Sequence, residues 1–354
     1  MPVKRKPDQS IIEALNKAQH IAFGPVLFQA VRSALATGLL SHISEAQDTE
    51  DEAARACGLT AYAVGVLVDV LIAGDVLTKA ADGKLALTKT GQCLLLDEMT
   101  RVNFNFTADV CYRGMDHLTE ALAGLKELGD WKTIYPAISQ LPHPARESWF
   151  AFDHYYSDRY FVMLAEELRD RLNPQTLFDV GGNTGKFAAA CLKAMPQTRV
   201  TLIDLPQQCA TACSNPILAP FADRFSAAEV DWLKPDCVPA VGHKADVIWM
   251  SQFLDCFSPE EAVSILQRCK PLLSERGRFA VLECLVDGQK FPAAGFSLAA
   301  VSLYFTTMAN GNSRFYRRND LLSVFKNAGL DVEYCRDNVG VSHTLYILKP
   351  TAAK

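Results

Sequence analysis

Leu177-Phe178-Asp179-Val180-Gly181-Gly182-Asn183-Thr184-Gly185-Lys186 reads as a buried strand, a glycine turn and the start of a helix. A helix and a turn later, Val200-Thr201-Leu202-Ile203-Asp204 reads as a second buried strand ending in a carboxylate. Together they have the layout of a nucleotide-cofactor site. Glycines let a ligand approach the backbone, and the acid closing the second strand can accept hydrogen bonds from both ribose hydroxyls. Working outward, further strands are expected at residues 224–227, 247–251 and 278–283, with 332–335 and 343–348 as a closing hairpin pair. Helical patterns lie between them, notably 259–269 and 319–328, the latter stopped by Gly329. Alternating strand and helix predicts an α/β fold with an open, Rossmann-like, mostly parallel sheet and a ligand at the carboxyl ends of its strands.

The rest of the chain divides into a region up to about residue 100, a connecting region of about 101–170, and the sheet domain from about 171 to 354. In the first, Leu27, Val31, Leu35 and Leu39 recur at helical spacing, and Gly24-Pro25 breaks the stretch into two helices. Two short helical patterns follow around Gly58-Leu59-Thr60, with Thr60 as an N-cap, and then a hairpin turning on Asp82-Gly83. Helix, turn, helix and hairpin make an all-α, winged-helix pattern. The helix after Thr60 lacks the Arg, Lys, Asn and Gln that reach base edges or phosphates, so nucleic acid is not its expected partner. An apolar helical face needs a partner, and a homodimer formed through this domain is expected. The connecting region is rich in aromatic residues, among them Trp131, Tyr135, Trp149 and Tyr155. These rings serve either as core or as the wall of a flat apolar acceptor pocket.

Net charge is −5 with a 21% charged fraction, so no overall basic field favours nucleic acid or an anionic membrane. The basic N-terminus is not followed by an apolar signal-peptide region, and no apolar run is long enough to span a bilayer. The eleven cysteines show no CxxC or His/Cys metal spacing, so no metal is expected, and reduced core cysteines in a cytoplasmic protein are.

The glycine stretch does not follow G-x-G-x-x-G, and Asp179 stands just before it. Pyrophosphate favours free amides and positive groups, whereas a carboxylate there suits a cationic amino-acid moiety. The sheet domain resembles class I S-adenosylmethionine-dependent methyltransferases, and the whole chain resembles the two-domain small-molecule O-methyltransferase family of plant phenolic and bacterial polyketide enzymes. Four blocks carry the likeness: Asp179 to Gly185, Leu202 to Pro206, Val230-Asp231-Trp232-Leu233, and Gly277 to Glu283. The resemblance implies S-adenosyl-L-methionine as cofactor, held by Asp179, Gly181, Gly182, Asn183, Gly185, Asp204 and Leu205. Asp231 and Trp232 would hold the adenine, and Ser251 and Gln252 close the site at the end of the fourth strand. It also implies a dimerisation role for the N-terminal domain. Read as residues alone, Asp231 also fits a helix cap and Trp232 also fits a core position.

The family's His-Asp-Trp triplet, whose His is the general base, is missing. Asp255 stands at the His position, Cys256-Phe257 follow it, and of the catalytic trio Glu283 alone survives. An aspartate near its ordinary pKa of about 3.9 is a poor base for a phenol near about 10. Burial beside Glu283 would raise it, because neighbouring carboxylates resist ionising together. His154, flanked by aromatics, is the alternative base. The helix holding Tyr304, Phe305, Met308 and Asn310 is either a wall of the acceptor pocket or plain core.

The expected activity is methylation of a small aromatic acceptor, phenolic or polyketide-like. Oxygen is favoured, and ring carbon competes because the base is missing. The alternatives are a protein of this fold that no longer transfers methyl and serves another reaction, such as hydroxylation or decarboxylation, and a metabolite-sensing regulator.

Overall fold

The computed structural model describes residues 9–124, 141–309, 311–312 and 314–352. The chain divides into two compact units, Met1–Ala108 and Asp109–Lys354.

In the first unit, helices span Gln9–Ala22, Gly24–Ala36, Leu39–Glu45, Glu50–Cys57 and Ala61–Ala73, followed by the antiparallel hairpin β1 (Leu77–Lys79) and β2 (Leu85–Leu87). Gly24-Pro25 does start a new helix, but there is a second break that the spacing did not reveal. Gly38 adopts a left-handed φ of 77°, disfavoured for any residue with a β-carbon, and the chain restarts at Leu39, which is fully buried. Thr60 caps its helix by accepting from the Ala63 amide, and Thr49 with Glu52 forms a reciprocal capping box. Val31, Leu39, Leu40, Val64, Val68 and Leu71 form the core. The helix Gln9–Ala22 buries none of its residues within the chain, and Ile11 and Leu15, one turn apart, are each 57% exposed.

The second unit is built on seven strands: β3 (Thr176–Val180), β4 (Arg199–Asp204), β5 (Phe225–Glu229), β6 (Ala245–Ser251), β7 (Leu273–Cys284), β8 (Leu330–Val339) and β9 (His343–Pro350). Their order is β5-β4-β3-β6-β7-β9-β8. Pairings from β5 to β7 are parallel, and β9 runs antiparallel to both β7 and β8. Side chains alternate between two buried faces, which is why the strands read as nearly continuous apolar runs. Phe178, Val180, Ile248, Met250 and Phe279 pack with Ile265, Leu266, Val324 and Phe325 on one face. Leu177, Val200, Leu202 and Trp249 pack with Leu164, Leu168, Phe187 and Cys191 on the other. Phe187 stacks on Trp249 with centroids 4.1 Å apart, and burying a ring of that size contributes roughly 1.5–3 kcal/mol.

Arg224, expected to open the third strand of this sheet, lies just before it. Its guanidinium donates to the carbonyls of Leu192, Met195 and Thr198, satisfying acceptors left over at the end of the helix Lys186–Ala194. Strand order reverses between β3 and β6, so the crevice of the sheet opens where β3 runs into Gly181 and β6 into Gln252. Among the described residues no single helix is long and apolar enough to cross a membrane, and none of the eleven cysteines is joined in a disulfide.

Candidate active site

The turn after β3 is shaped by contacts that only glycine tolerates. Gly181 has φ +73°, and a β-carbon there would lie 2.4 Å from the Phe253 ring. A β-carbon at Gly182 would lie 2.7 Å from Asp179 Oδ2. The turn delivers the Asn183 amide to Asp204 Oδ2 at 2.9 Å, while the Leu205 amide donates to Oδ1 at 2.7 Å. Asp204 is thereby fixed at the tip of β4 and retains further lone pairs for two hydroxyls. Desolvation raises its pKa, and these two amides oppose the rise.

Asp179 is 1% exposed, and its Oδ2 has no hydrogen-bond partner among the described residues. Burial first, and Asp204 second, push its carboxyl up to about 7. A cationic ligand group beside it would hold it ionised. The glycine cradle, the orphaned Asp179 oxygen and the hydroxyl-ready Asp204 therefore fit the amino-acid and ribose parts of a nucleoside that carries an amino acid.

The far side of the crevice begins at Ser251, whose Oγ is buried without a partner among the described residues. Gln252 takes a left-handed φ of 47° while its amide donates to the Leu282 carbonyl at 2.8 Å. Backbone held in that region by side chains other than glycine is costly and concentrates at functional sites. The strained turn brings the Phe253 and Leu254 amides onto Glu283 Oε1 at 3.1 and 2.8 Å, leaving Oε2 buried without a partner among the described residues.

Asp255 follows, 3% exposed, beside the fully buried Glu283. Desolvation is the main reason that Asp255 is pushed up to about 7, and it also raises Glu283, with Asp255 adding to the rise. Burial thus favours the protonated form of both carboxyls. Tyr316, which sequence reasoning missed, is 2% exposed and donates to the Phe257 carbonyl at 3.0 Å, fixing the turn that carries Asp255.

His154 is not joined to this pair. It stacks on Phe150 and lies 3.4 Å from Asp158, which is ion-paired to Lys186. Asp153, one residue earlier and also missed from sequence, is the group whose charge raises Asp255. Its only sequence signal was the acid beside His154 on one helix.

Of the residues assigned to the acceptor pocket, Trp149 donates to the Tyr304 hydroxyl at 3.2 Å, and Tyr304 and Phe305 are 2% and 3% exposed. Met308 is fully buried against Gly114, where a β-carbon would meet its sulfur. These four are packed as interior. Tyr155 is half-buried under the Arg159 guanidinium, and Asn310 lies outside the described residues. Asp231 accepts from the Leu233 amide at 3.2 Å and lies 3.4 Å from Lys234. Trp232, 6% exposed and covered by Arg268, packs into the same apolar layer as Phe178.

Residues 164–331 match the family model for an O-methyltransferase domain, and residues 16–84 match that for a Dimerisation2-like domain. Norreticuline-7-O-methyltransferase of Papaver somniferum is 32% identical over 118 residues, which are 33% of this chain and 29% of that protein. Aclacinomycin 10-hydroxylase RdmB of Streptomyces purpurascens is 32% identical over 154 residues, 44% of this chain and 39% of that protein. The chain thus aligns with well under half the length of these two curated relatives. The solved structure of the mitomycin 7-O-methyltransferase MmcR superposes with a TM-score of 0.73 at 20% identity, covering 97% of this chain and 99% of that one, a likeness of fold.

Proposed function

We propose that this chain, which carries an O-methyltransferase domain and a Dimerisation2-like domain, transfers methyl from S-adenosylmethionine to the oxygen of a small aromatic acceptor. Bound S-adenosylmethionine supplies a methyl group already activated on a sulfonium. Gly181, Gly182, Asn183 and Gly185 cradle it, Asp179 faces its ammonium group and Asp204 its ribose. The observation carrying the reading is the pair of buried carboxyls, Asp255 in the turn after β6 and Glu283 on β7, with the Phe253 ring of that turn packed against Gly181.

Asp255 is the base. At about 7 it binds a proton as tightly as an ordinary imidazole. Taking a proton from a phenol near pKa 10 costs an unshifted aspartate roughly 8 kcal/mol, and a base near 7 roughly 4 kcal/mol. The shift therefore recovers about half of that cost, which is what the missing His would have supplied. Burial keeps Asp255 in that range, and Glu283, held by two backbone amides, is itself raised by burial and by the Asp255 charge. With a base of this strength in place, oxygen is the preferred acceptor atom over ring carbon.

The unburied helix Gln9–Ala22, with Ile11 and Leu15 outward, supports pairing of two chains through the N-terminal unit. The dimer predicts twice the monomer mass in sedimentation.

Calorimetry with S-adenosylmethionine, followed by incubation of labelled cofactor with a panel of phenols, tests the activity. The reading expects binding and label on an acceptor oxygen, located by the carbon shift of the new methyl. Binding without label in any acceptor would favour a non-transferring role, as the hydroxylase name of one relative suggests.

A further inference from the structure

The glycine turn after β3 is held from a second side. Asn183, between Gly181 and Gly185, takes a left-handed φ of 49°. Asn tolerates that region better than most residues, and it is still costly. In that conformation its amide reaches Asp204 Oδ2 at 2.9 Å, one of the two contacts that fix the acid at the tip of β4. Shortly after, Lys186 opens the helix Lys186–Ala194. A cation in the first turn of a helix opposes the helix dipole, so local preference does not account for it. Its partner comes from the connecting region. Lys186 Nζ is ion-paired to Asp158, which directly follows the helix Ala145–Ser157.

That contact belongs to a small network. His154 Nδ1 lies 3.4 Å from Asp158 Oδ2 and 3.8 Å from Asp153 Oδ2, and so stands between the two acids. Asn183 Nδ2 approaches the same Asp153 oxygen at 3.5 Å, the long limit of a hydrogen bond. Two acids of the connecting region therefore face two residues of the cofactor turn and its helix. Lys186 and Asp158 keep 35% and 26% of their side-chain surface accessible, so the pair is screened less than an exposed one. Burial is the largest single influence on Asp158 and pushes its carboxyl up, but His154 and Lys186 together outweigh it and hold the carboxyl below its ordinary value. Asp158 is thus ionised against Lys186.

We propose that Asp158 and Lys186 are cofactor-positioning residues: their ion pair fastens the connecting region to the glycine turn and holds Asn183 where its amide fixes Asp204 for the ribose. This assignment rests on the reading that the crevice takes S-adenosylmethionine. The pair acts through Asn183 and Asp204, so it serves cofactor affinity and leaves the transfer step to other groups. Alignment prepared before the ligand arrives lowers the ordering cost of binding.

The test is calorimetry with S-adenosylmethionine on the wild type, on Lys186→Met, on Asp158→Asn, which keeps the shape of the side chain, and on the two changes combined. Each single change is expected to weaken affinity by about 3- to 10-fold, the range of a partly buried ion pair. The combined variant is expected to be no weaker than either single one, because one interaction is lost in all three. In an Asp204→Ala background Lys186→Met should cost less than about 2-fold, since the acid through which the pair acts is gone. The rate of label transfer at saturating cofactor should stay within about 2-fold of wild type in both single variants, with the loss confined to KM for the cofactor. Unchanged affinity in both single variants overturns the assignment and leaves the cofactor reading standing. An equal loss with and without Asp204 also overturns it, because the pair then supports the fold and not the clamp. If the wild type itself binds no S-adenosylmethionine, the cofactor reading falls and this assignment falls with it.

Discussion

The two ends of the crevice are both built from acidic residues, and Asp204 at one end and Asp255 at the other have different partners. Beside the glycine turn, Asp204 has one backbone amide on each oxygen and is locked at the tip of β4. Past β6, Asp255 accepts from the Cys256 thiol at 3.5 Å and is raised chiefly by burial, next to a second buried carboxyl, Glu283. Burial raises both carboxyls, and on Asp204 the two amides oppose the rise and make a fixed acceptor. Burial beside another acid favours the neutral form and makes a group that exchanges a proton near neutral pH. The same chemical group becomes a clamp in one place and a base in the other, and the difference lies in which backbone groups reach it.

Substitutions that separate the two roles should therefore have separable effects. The largest is expected at the base. Asp255→Asn should lower the rate of label transfer by at least about 100-fold, the usual contribution of a positioned base, with calorimetry showing cofactor affinity little changed. A parallel loss of affinity would mean that the two ends do not divide their work. Next comes the clamp. Asp204→Ala should weaken cofactor binding by roughly 10- to 100-fold, as two charge-assisted hydrogen bonds are lost, while the pH dependence of transfer keeps its shape.

Asp179 links binding to stability. Its folded pKa is raised, so its penalty is absent below the unfolded value of about 3.9, grows as pH rises through about 7 and is complete above that. In the cofactor-free protein Asp179→Asn should be more stable than wild type at pH 8 by up to about 4 kcal/mol and equal to it at pH 4. Denaturant unfolding at the two pH values measures this. A variant that is less stable at both would show that the carboxylate is satisfied in the fold. The smallest effect concerns Glu283→Gln. Burial, and not Glu283, raises Asp255, so the acid limb of the rate profile should stay within about half a pH unit of its wild-type position, and a shift of about a full unit would show that Glu283 sets the strength of the base.

The two ends also differed in how far the sequence revealed them. Asp179, Gly181, Gly182 and Asp204 fall within one strand–turn–helix–strand unit, where spacing, β-propensity and glycine chemistry act over a few residues, and that local grammar places them. The strands around them were legible for the same reason, since both faces are buried and each run is continuously apolar. The other end draws on positions 153, 255, 283 and 316, which only the tertiary fold unites. Asp255 was recognisable as the residue standing in for a His, but not as a group beside Asp153. His154 drew attention by its residue type, yet on the helix Ala145–Ser157 it lies 3.4 Å from Asp158 and 3.8 Å from Asp153. Tyr304, Phe305 and Met308 had a composition that suits either a pocket or a core, and only their enclosure, down to the contact of Met308 with Gly114, distinguishes the two.

On the proposed mechanism, a buried aspartate, Asp255, does the work of an imidazole base. The most direct measurement is the rate of methyl transfer to a phenol at saturating cofactor between pH 5 and 9. The account predicts a rate that rises with pH and levels off, with an apparent pKa near 7, and a limb that is lost in Asp255→Asn. A rate independent of pH across that range, or an acid limb that persists in Asp255→Asn, would contradict it.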